Sequence, residues 1–136
     1  MSGQRITNDH CFKCDCLSNK TVEYFSAFYS EESGNDVLMV VLKLKEVDLY
    51  QRFFLDAALG FWEEWNSEDT FYDLDGLRCI DLLKENDLLN KKVSSIICTG
   101  SFEGFSSITF KFEQVNLLLK FSESNDFESD VVLIKL

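Results

Sequence analysis

Apolar residues in the stretch Glu46–Trp65 recur at steps of three and four. They are Val47, Tyr50, Phe53, Phe54, Ala57, Phe61, Trp62 and Trp65. This spacing aligns one face of a helix, and the polar side chains of Asp48, Arg52, Asp56 and Glu63 fall on the opposite face. The pattern therefore predicts a long amphipathic helix that carries both tryptophans of the chain, with the other elements packed around it. In the alternative interpretation, the tryptophans at its end protrude and anchor a partner.

Shorter elements are predicted on either side of this helix. Thr21–Ser30 and Val37–Lys45 are rich in β-branched and aromatic residues, and a Gly-Asn turn separates them, which predicts a hairpin. Leu77–Asn90 follows the long helix and is predicted to be a second helix, with Asp75 as its N-cap. Its apolar stripe consists of Leu77, Ile80, Leu83 and Leu88.

The last third of the chain alternates between apolar and polar residues. The runs are Val93–Phe102, a strand containing Ile108, Phe110 and Phe112, then Val115–Phe121 and Val131–Leu136. Short polar links between such runs predict an antiparallel meander. The expected fold is α+β, with one antiparallel sheet, built from the hairpin and the meander, packed against two helices. Residues 1–20 are expected to form a polar, partly mobile segment, and residues 21–136 a single globular domain.

The net charge narrows the class of partner. The chain has 24 acidic and 13 basic residues, which give a net charge of −11. A field of this sign repels nucleic acids and anionic membranes and attracts basic proteins, although acidity also simply keeps proteins soluble. The chain starts without the apolar core of a signal peptide, no apolar run is long enough to span a membrane, and its five cysteines are an odd number. These features predict a cytoplasmic protein with reduced thiols.

The most acidic segment, Glu63–Asp75, contains no Lys or Arg and is the predicted surface for a basic protein partner. The candidate binding residues are Glu63, Glu64, Trp65, Glu68, Asp69, Phe71, Tyr72, Asp73 and Asp75. Aromatic side chains framed by carboxylates are typical of interface hot spots with electrostatic steering. A solvated acidic loop is the alternative. A calcium loop is excluded, because aligning Gly76 with its sixth position puts Phe71 first and Leu82 twelfth.

Candidate metal ligands occur only near the start, where His10, Cys11, Cys14 and Cys16 are clustered. Cys11 and Cys14 have the spacing of half a zinc site, but no second pair of ligands follows. We therefore expect no metal and no cofactor. The only histidine stands next to a cysteine, an arrangement that points the two side chains apart, and no phosphate-binding glycine motif occurs. These features predict a protein that is not an enzyme.

Four segments of the last third carry a family resemblance. They are Leu89–Ile96, Phe105–Phe112, Leu117–Phe121 and Asp130–Ile134. With an Asn-Lys start, an amphipathic strand, a turn and an acidic loop before the last strand, they resemble small bacterial immunity proteins found beside polymorphic or contact-dependent toxins. The resemblance implies a cytoplasmic inhibitor that binds one cognate toxin domain, and it implies no particular site residue.

These observations leave three hypotheses for function. The first is an immunity protein that binds and inhibits a basic toxin domain, such as a nuclease, whose phosphate-binding surface attracts an acidic partner. The second is a chaperone or adaptor for a secreted effector, which would need an apolar groove. The third is a metal-responsive or redox protein that uses Cys11, Cys14 and Cys16.

Overall fold

The computed structural model describes residues 3–32, 35–100, 104–122 and 130–136. The strands are β1 (Gly3–Asp9), β2 (Phe12–Lys13), β3 (Val22–Tyr29), β4 (Val37–Leu44), β5 (Tyr50–Asp56), β6 (Leu59–Trp65), β7 (Arg78–Asp81), β8 (Val93–Thr99), β9 (Ser107–Phe112), β10 (Val115–Phe121) and β11 (Val131–Lys135). A 3-10 turn spans Asp15–Leu17, and the helix α1 covers Leu82–Glu85.

The strands form two antiparallel sheets packed face to face. The first sheet has six strands in the order β1-β6-β5-β4-β3-β7, and the second has five in the order β11-β10-β9-β8-β2. The expected α+β class is therefore wrong, because the fold is a β-sandwich with one helix of a single turn in the described residues. The expected hairpin (β3–β4) and meander (β8–β11) are confirmed as strands, but they belong to different sheets.

Aromatic and aliphatic side chains from the facing sides of both sheets form the main core. Phe25 and Phe53 of the first sheet contact Phe110 of the second, with ring centroids 5.5 and 5.3 Å apart. Near the start of β8, the backbone N–H of Val22 in β3 donates to the carbonyl of Lys91. At the far end of β8, Gly60 of β6 lies so close to Cys98 that a Cβ would come within 2.5 Å of the sulfur. The strands of the two sheets therefore cross, and Gly60 permits their close approach.

The stretch predicted to be the long helix, Glu46–Trp65, is instead the hairpin β5–β6. Its turn is Ala57-Ala58, with positive φ values of 50° and 69°. Two successive positive φ values define the two-residue turn whose twist matches that of a hairpin. In sequences, this turn is usually recognised by Asn-Gly or Asp-Gly. Here neither residue carries that signal. The helical spacing arose because both faces of the hairpin are apolar, so no alternation with a period of two was visible.

The second predicted helix, Leu77–Asn90, is also wrong for most of its length. Its first part is the strand β7, and only the single turn α1 is helical. Asp81 rather than Asp75 is the N-cap, since its side chain accepts the backbone N–H of Lys84 at 3.1 Å. The apolar residues that suggested a helical stripe divide between two hydrophobic clusters, with Leu77 against one and Ile80, Leu83 and Leu88 in or against the other.

The first 20 residues contribute to both sheets within the part that the structure describes. β1 pairs with β6, and β2 pairs with β8. Cys14 and Leu17 are buried in the main core. The start of the chain therefore supplies one edge strand to each sheet, β1 to the first and β2 to the second.

Candidate functional site

The acidic segment lies across the outer face of the six-stranded sheet, the face turned away from the second sheet. Residues 66–77 leave β6, pass over the sheet in a series of turns and return to the edge strand β7. Asn66 organises the first turn, because its side-chain oxygen accepts the N–H of Asp69 at 2.9 Å and its carbonyl accepts both the N–H and the hydroxyl of Thr70. Thr70 is fully buried by these contacts. Hydrogen bonds and burial thus make this segment an integral part of the fold.

Phe71 is the main apolar contact between this segment and the sheet. Its ring centroid lies 5.6 Å from that of Tyr24, 6.0 Å from that of Phe28 and 5.4 Å from that of Tyr50. Leu74 packs into the same cluster and is buried. Burial raises the pKa of Tyr24 above its ordinary value. These contacts form a second, smaller core, and they place Phe71 inside the fold.

Arg52 of β5 is the electrostatic contact between the sheet and the segment. Its side chain is 3% exposed, and its guanidinium donates to Asp73 Oδ2 at 3.2 Å and to the carbonyl of Thr70 at 3.5 Å. Its Cζ lies 4.4 Å from the centroid of the Trp65 ring, which is the geometry of a cation–π contact. Asp73 therefore neutralises a buried cation, although its own side chain is 59% exposed.

Three further candidate binding residues, all on β6, also make internal contacts. Glu63 is buried, accepts from Arg5 at 3.1 Å and accepts the indole N–H of Trp65 at 3.0 Å. Glu64 accepts the side-chain amide of Gln51 at 3.1 Å. Because these side chains already have partners in the fold, their main role here is to hold β1, β5 and β6 together.

The remaining candidates point outward. Tyr72 is 85% exposed, which is the largest exposure among the large hydrophobic side chains of the described residues. Glu68 and Asp75 are exposed and Asp69 is half-buried. None of these three carboxylates forms an ion pair with a described residue. The segment, which is fixed to the sheet from below, therefore carries one exposed aromatic ring and three carboxylates that form no ion pair among the described residues.

The nine residues listed from the sequence thus divide into two groups. Five serve the fold: Glu63, Glu64, Trp65, Phe71 and Asp73. Four face outward: Glu68, Asp69, Tyr72 and Asp75. The sequence analysis missed Arg52 and Arg5, which lie far from the segment in sequence. Their contacts with the acidic residues could have been inferred only from their position on strands that flank those residues. The sequence pattern instead placed Arg52 on the polar face of a predicted helix.

The five cysteines lie in different environments, and none of them forms a disulfide. Cys11, Cys16 and Cys79 are exposed, whereas Cys14 and Cys98 are buried. Burial raises the pKa of the Cys98 thiol to about 11 and raises that of Cys14 further. Both groups are therefore neutral thiols at ordinary pH, whereas metal binding and thiol exchange require thiolates. Within the described ranges, no group of three or more His, Cys, Asp or Glu side chains is placed to hold a metal ion.

No helix in the part of the chain described by the structure is long and apolar enough to cross a membrane. No protein-family model matches the chain, and no curated protein or solved structure matches it.

Proposed function

We propose that this chain is a binding protein that docks a basic protein partner on its acidic segment and acts by binding rather than by catalysis. The observation that carries the proposal is the exposed Tyr72 ring on a segment that also carries Glu68, Asp69 and Asp75, whose carboxylates form no ion pair among the described residues. Aromatic side chains that combine an apolar ring with a polar tip are frequent interface hot spots. The carboxylates on the same segment favour a partner of positive charge.

The packing beneath the segment supports a binding role, because a fixed surface loses little conformational entropy on association. Phe71, Thr70 and Leu74 hold the segment by burial, and Arg52 holds it by charge. The exposed residues therefore sit on a surface that is organised before the partner arrives. A solvated loop without such contacts would have to be ordered at the moment of binding.

The identity of the partner class comes from charge and from the resemblance described above. We propose an immunity-type inhibitor in the bacterial cytoplasm, with a toxin domain as its target. A nuclease toxin carries a basic surface for the phosphate backbone, and a protein with a net charge of −11 can compete for that surface. Long-range attraction between the two would speed their encounter.

The test is a kinetic binding experiment with the product of the adjacent gene as the partner, carried out over a series of salt concentrations. We expect association to slow as salt rises, because charges further apart than about 8 Å are screened at physiological ionic strength. Reversing Glu68→Lys and Asp69→Lys together should slow association roughly tenfold, with a smaller effect on dissociation. Tyr72→Ala should mainly speed dissociation.

The matched control is the double reversal Glu31→Lys and Glu32→Lys. These two exposed residues are also adjacent in sequence, and they lie in the loop between β3 and β4. The control changes the net charge by the same amount, so it separates a local surface from overall charge. Equal effects of the two reversals would mean that only net charge matters. Association that does not depend on salt, with full affinity after the Glu68 and Asp69 reversal, would reject the acidic segment as the docking site.

A further inference from the structure

A cavity of about 390 Å³ opens between the two sheets, with β3, β7 and α1 on one side and β10 and β11 on the other. Both sheets contribute to its walls, because Tyr29 and Ile80 belong to the first sheet and Leu117 and Leu133 to the second. Small-molecule sites usually have volumes of about 300–1,000 Å³, so this cavity lies at the small end of their range. It has room for one small ligand.

The part of the cavity next to the main core is apolar. Leu82 and Leu117 are buried, and Tyr29, Ile80 and Leu133 are partly buried against that core. An apolar group that enters the cavity leaves water and contacts these side chains, and this burial favours binding. The cavity therefore suits a ligand with an apolar side chain.

The charged residues of the cavity have opposite sign and lie on opposite walls. Glu85 and Asn86 are at the end of α1, and Lys135 is on β11. None of the ion pairs between described residues includes Glu85 or Lys135. The side-chain N–H of Asn86 donates to the carbonyl of Leu82 at 3.0 Å, which orients the amide and leaves its Oδ1 as an acceptor. One wall thus offers two acceptors, and the other offers an ammonium donor.

We propose that this cavity binds a free amino acid that has a large apolar side chain. Its α-ammonium group donates to the Glu85 carboxylate and to Asn86 Oδ1, and its α-carboxylate accepts from Lys135. Its side chain packs against Leu117 and Leu133. A zwitterion also carries no net charge, so the net charge of −11 does not repel it as it would repel an anion. The cavity shares no residue with the acidic segment and is separate from the proposed docking surface.

The test is isothermal titration calorimetry of the full chain with phenylalanine and with leucine. We expect saturable binding with a Kd on the order of 0.1–1 mM, because a small ligand makes few contacts. Glycine lacks the apolar side chain, phenethylamine lacks the carboxylate and phenylpropionate lacks the ammonium group. Each of these three should bind about tenfold more weakly than phenylalanine. The proposal is overturned if neither amino acid binds below about 10 mM, or if either analogue binds as tightly as phenylalanine.

Variants locate the site. Lys135→Met and Glu85→Gln each remove one charge from an exposed side chain, so the fold should tolerate both. Each should weaken phenylalanine binding by about tenfold, and in Lys135→Met the preference for phenylalanine over phenethylamine should disappear. The matched controls are Lys111→Met and Glu31→Gln, which are exposed and do not line the cavity. They should alter the affinity by less than about twofold. Unchanged affinity in both cavity variants, or equal losses in the controls, would show that the amino acid does not bind in this cavity.

Discussion

The outer faces of the two sheets differ in what covers them. The acidic segment lies on the outer face of the six-stranded sheet, and under it Phe28, Met39 and Val41 are buried. On the outer face of the five-stranded sheet, a row of side chains crosses the strands through cross-strand pairs and remains partly accessible. The row is Lys13, Ile97, Thr109, Leu118 and Ile134. One sheet therefore has two apolar faces and the other has one.

The two outer faces also differ in charge. The segment over the six-stranded sheet carries Glu68, Asp69, Asp73 and Asp75. The outward positions of the five-stranded sheet carry Lys13, Lys111 and Lys120, and no Asp or Glu stands at the outward positions of its described strands. A face that carries lysines and no carboxylates at its outward strand positions is unexpected in a chain with a net charge of −11. For the proposed basic partner, this separation would favour approach to the acidic segment over approach to the lysine-bearing face.

The largest contrast should appear when the same residue is truncated on the two faces. Leu74 is buried between the segment and the sheet, whereas Leu118 is partly accessible on the uncovered face. We expect Leu74→Ala to lower the free energy of unfolding by about 2–4 kcal/mol, since it leaves a cavity. Leu118→Ala should lower it by about 1 kcal/mol or less, since the site opens to water. Denaturant unfolding measures both values.

Tyr72→Ala serves as the control within the segment, because its side chain is mostly exposed. We expect it to change the free energy of unfolding by less than about 0.5 kcal/mol. If Leu74→Ala costs no more than Leu118→Ala, the segment does not cover the sheet in solution, and the contrast between the faces fails.

A smaller effect should follow from the ion pair beneath the segment. Asp73→Asn removes the counter-charge of the buried Arg52 guanidinium and should destabilise by about 1–2 kcal/mol, a cost reduced because Asp73 itself is largely exposed. Arg52→Met retains a long apolar side chain over Trp65 and should restore most of that loss when combined with Asp73→Asn. A double-mutant cycle by urea unfolding measures the coupling. A coupling of zero would show that the pair contributes no stability.

The core between the two sheets is a third region to compare with the two outer faces, and it contains the buried thiols of Cys14 and Cys98. Burial raises the pKa of Cys98 from 9.0 to about 11, so the unfolded chain loses this proton first as the pH rises. Stability from the buried thiol is fully present below pH 9 and is lost between pH 9 and about 11. We expect urea unfolding at about pH 10.5 to show a loss of about 2 kcal/mol relative to pH 8. The Cys98→Ala variant should lose less over the same range, and an identical slope would contradict this assignment.

The same difference between the faces explains what could be predicted from the sequence. β9 and β10 have one buried face, so Ile108, Phe110 and Phe112 alternate with polar residues, and these strands were predicted closely. β5 is buried on both faces, and its run Phe53-Phe54-Leu55 shows no alternation. Its partner β6 follows a turn made of two alanines, which carries no turn signal. Without an alternation of period two, steps of three and four were the only periodic pattern in this stretch, and they predicted a helix.

The sequence proposes residues 63–75 as a candidate surface, but it does not show which of their side chains are buried and which are exposed. Acidity and aromatic content identified residues 63–75, because both are local properties of the sequence. Which aromatic side chain is exposed depends on the sheet beneath, because Phe71 contacts three aromatic rings there, whereas Tyr72 has no ring contact with a described residue. The buried Arg52 could not be placed while its strand was predicted to be a helix. The role of a residue whose contacts are distant in sequence could therefore be assigned only from the fold.

The most direct test of the central claim is a hydrogen-exchange footprint of the chain with and without the adjacent gene product. We expect the partner to slow exchange in residues 68–75, around Tyr72, and to leave the amides near Ile97 and Leu118 unchanged. The free chain should already protect the amide of Thr70, which is buried and bonded to Asn66 at 3.1 Å. Slowed exchange confined to the lysine-bearing face of the five-stranded sheet, with none in residues 68–75, would contradict the acidic segment as the docking surface.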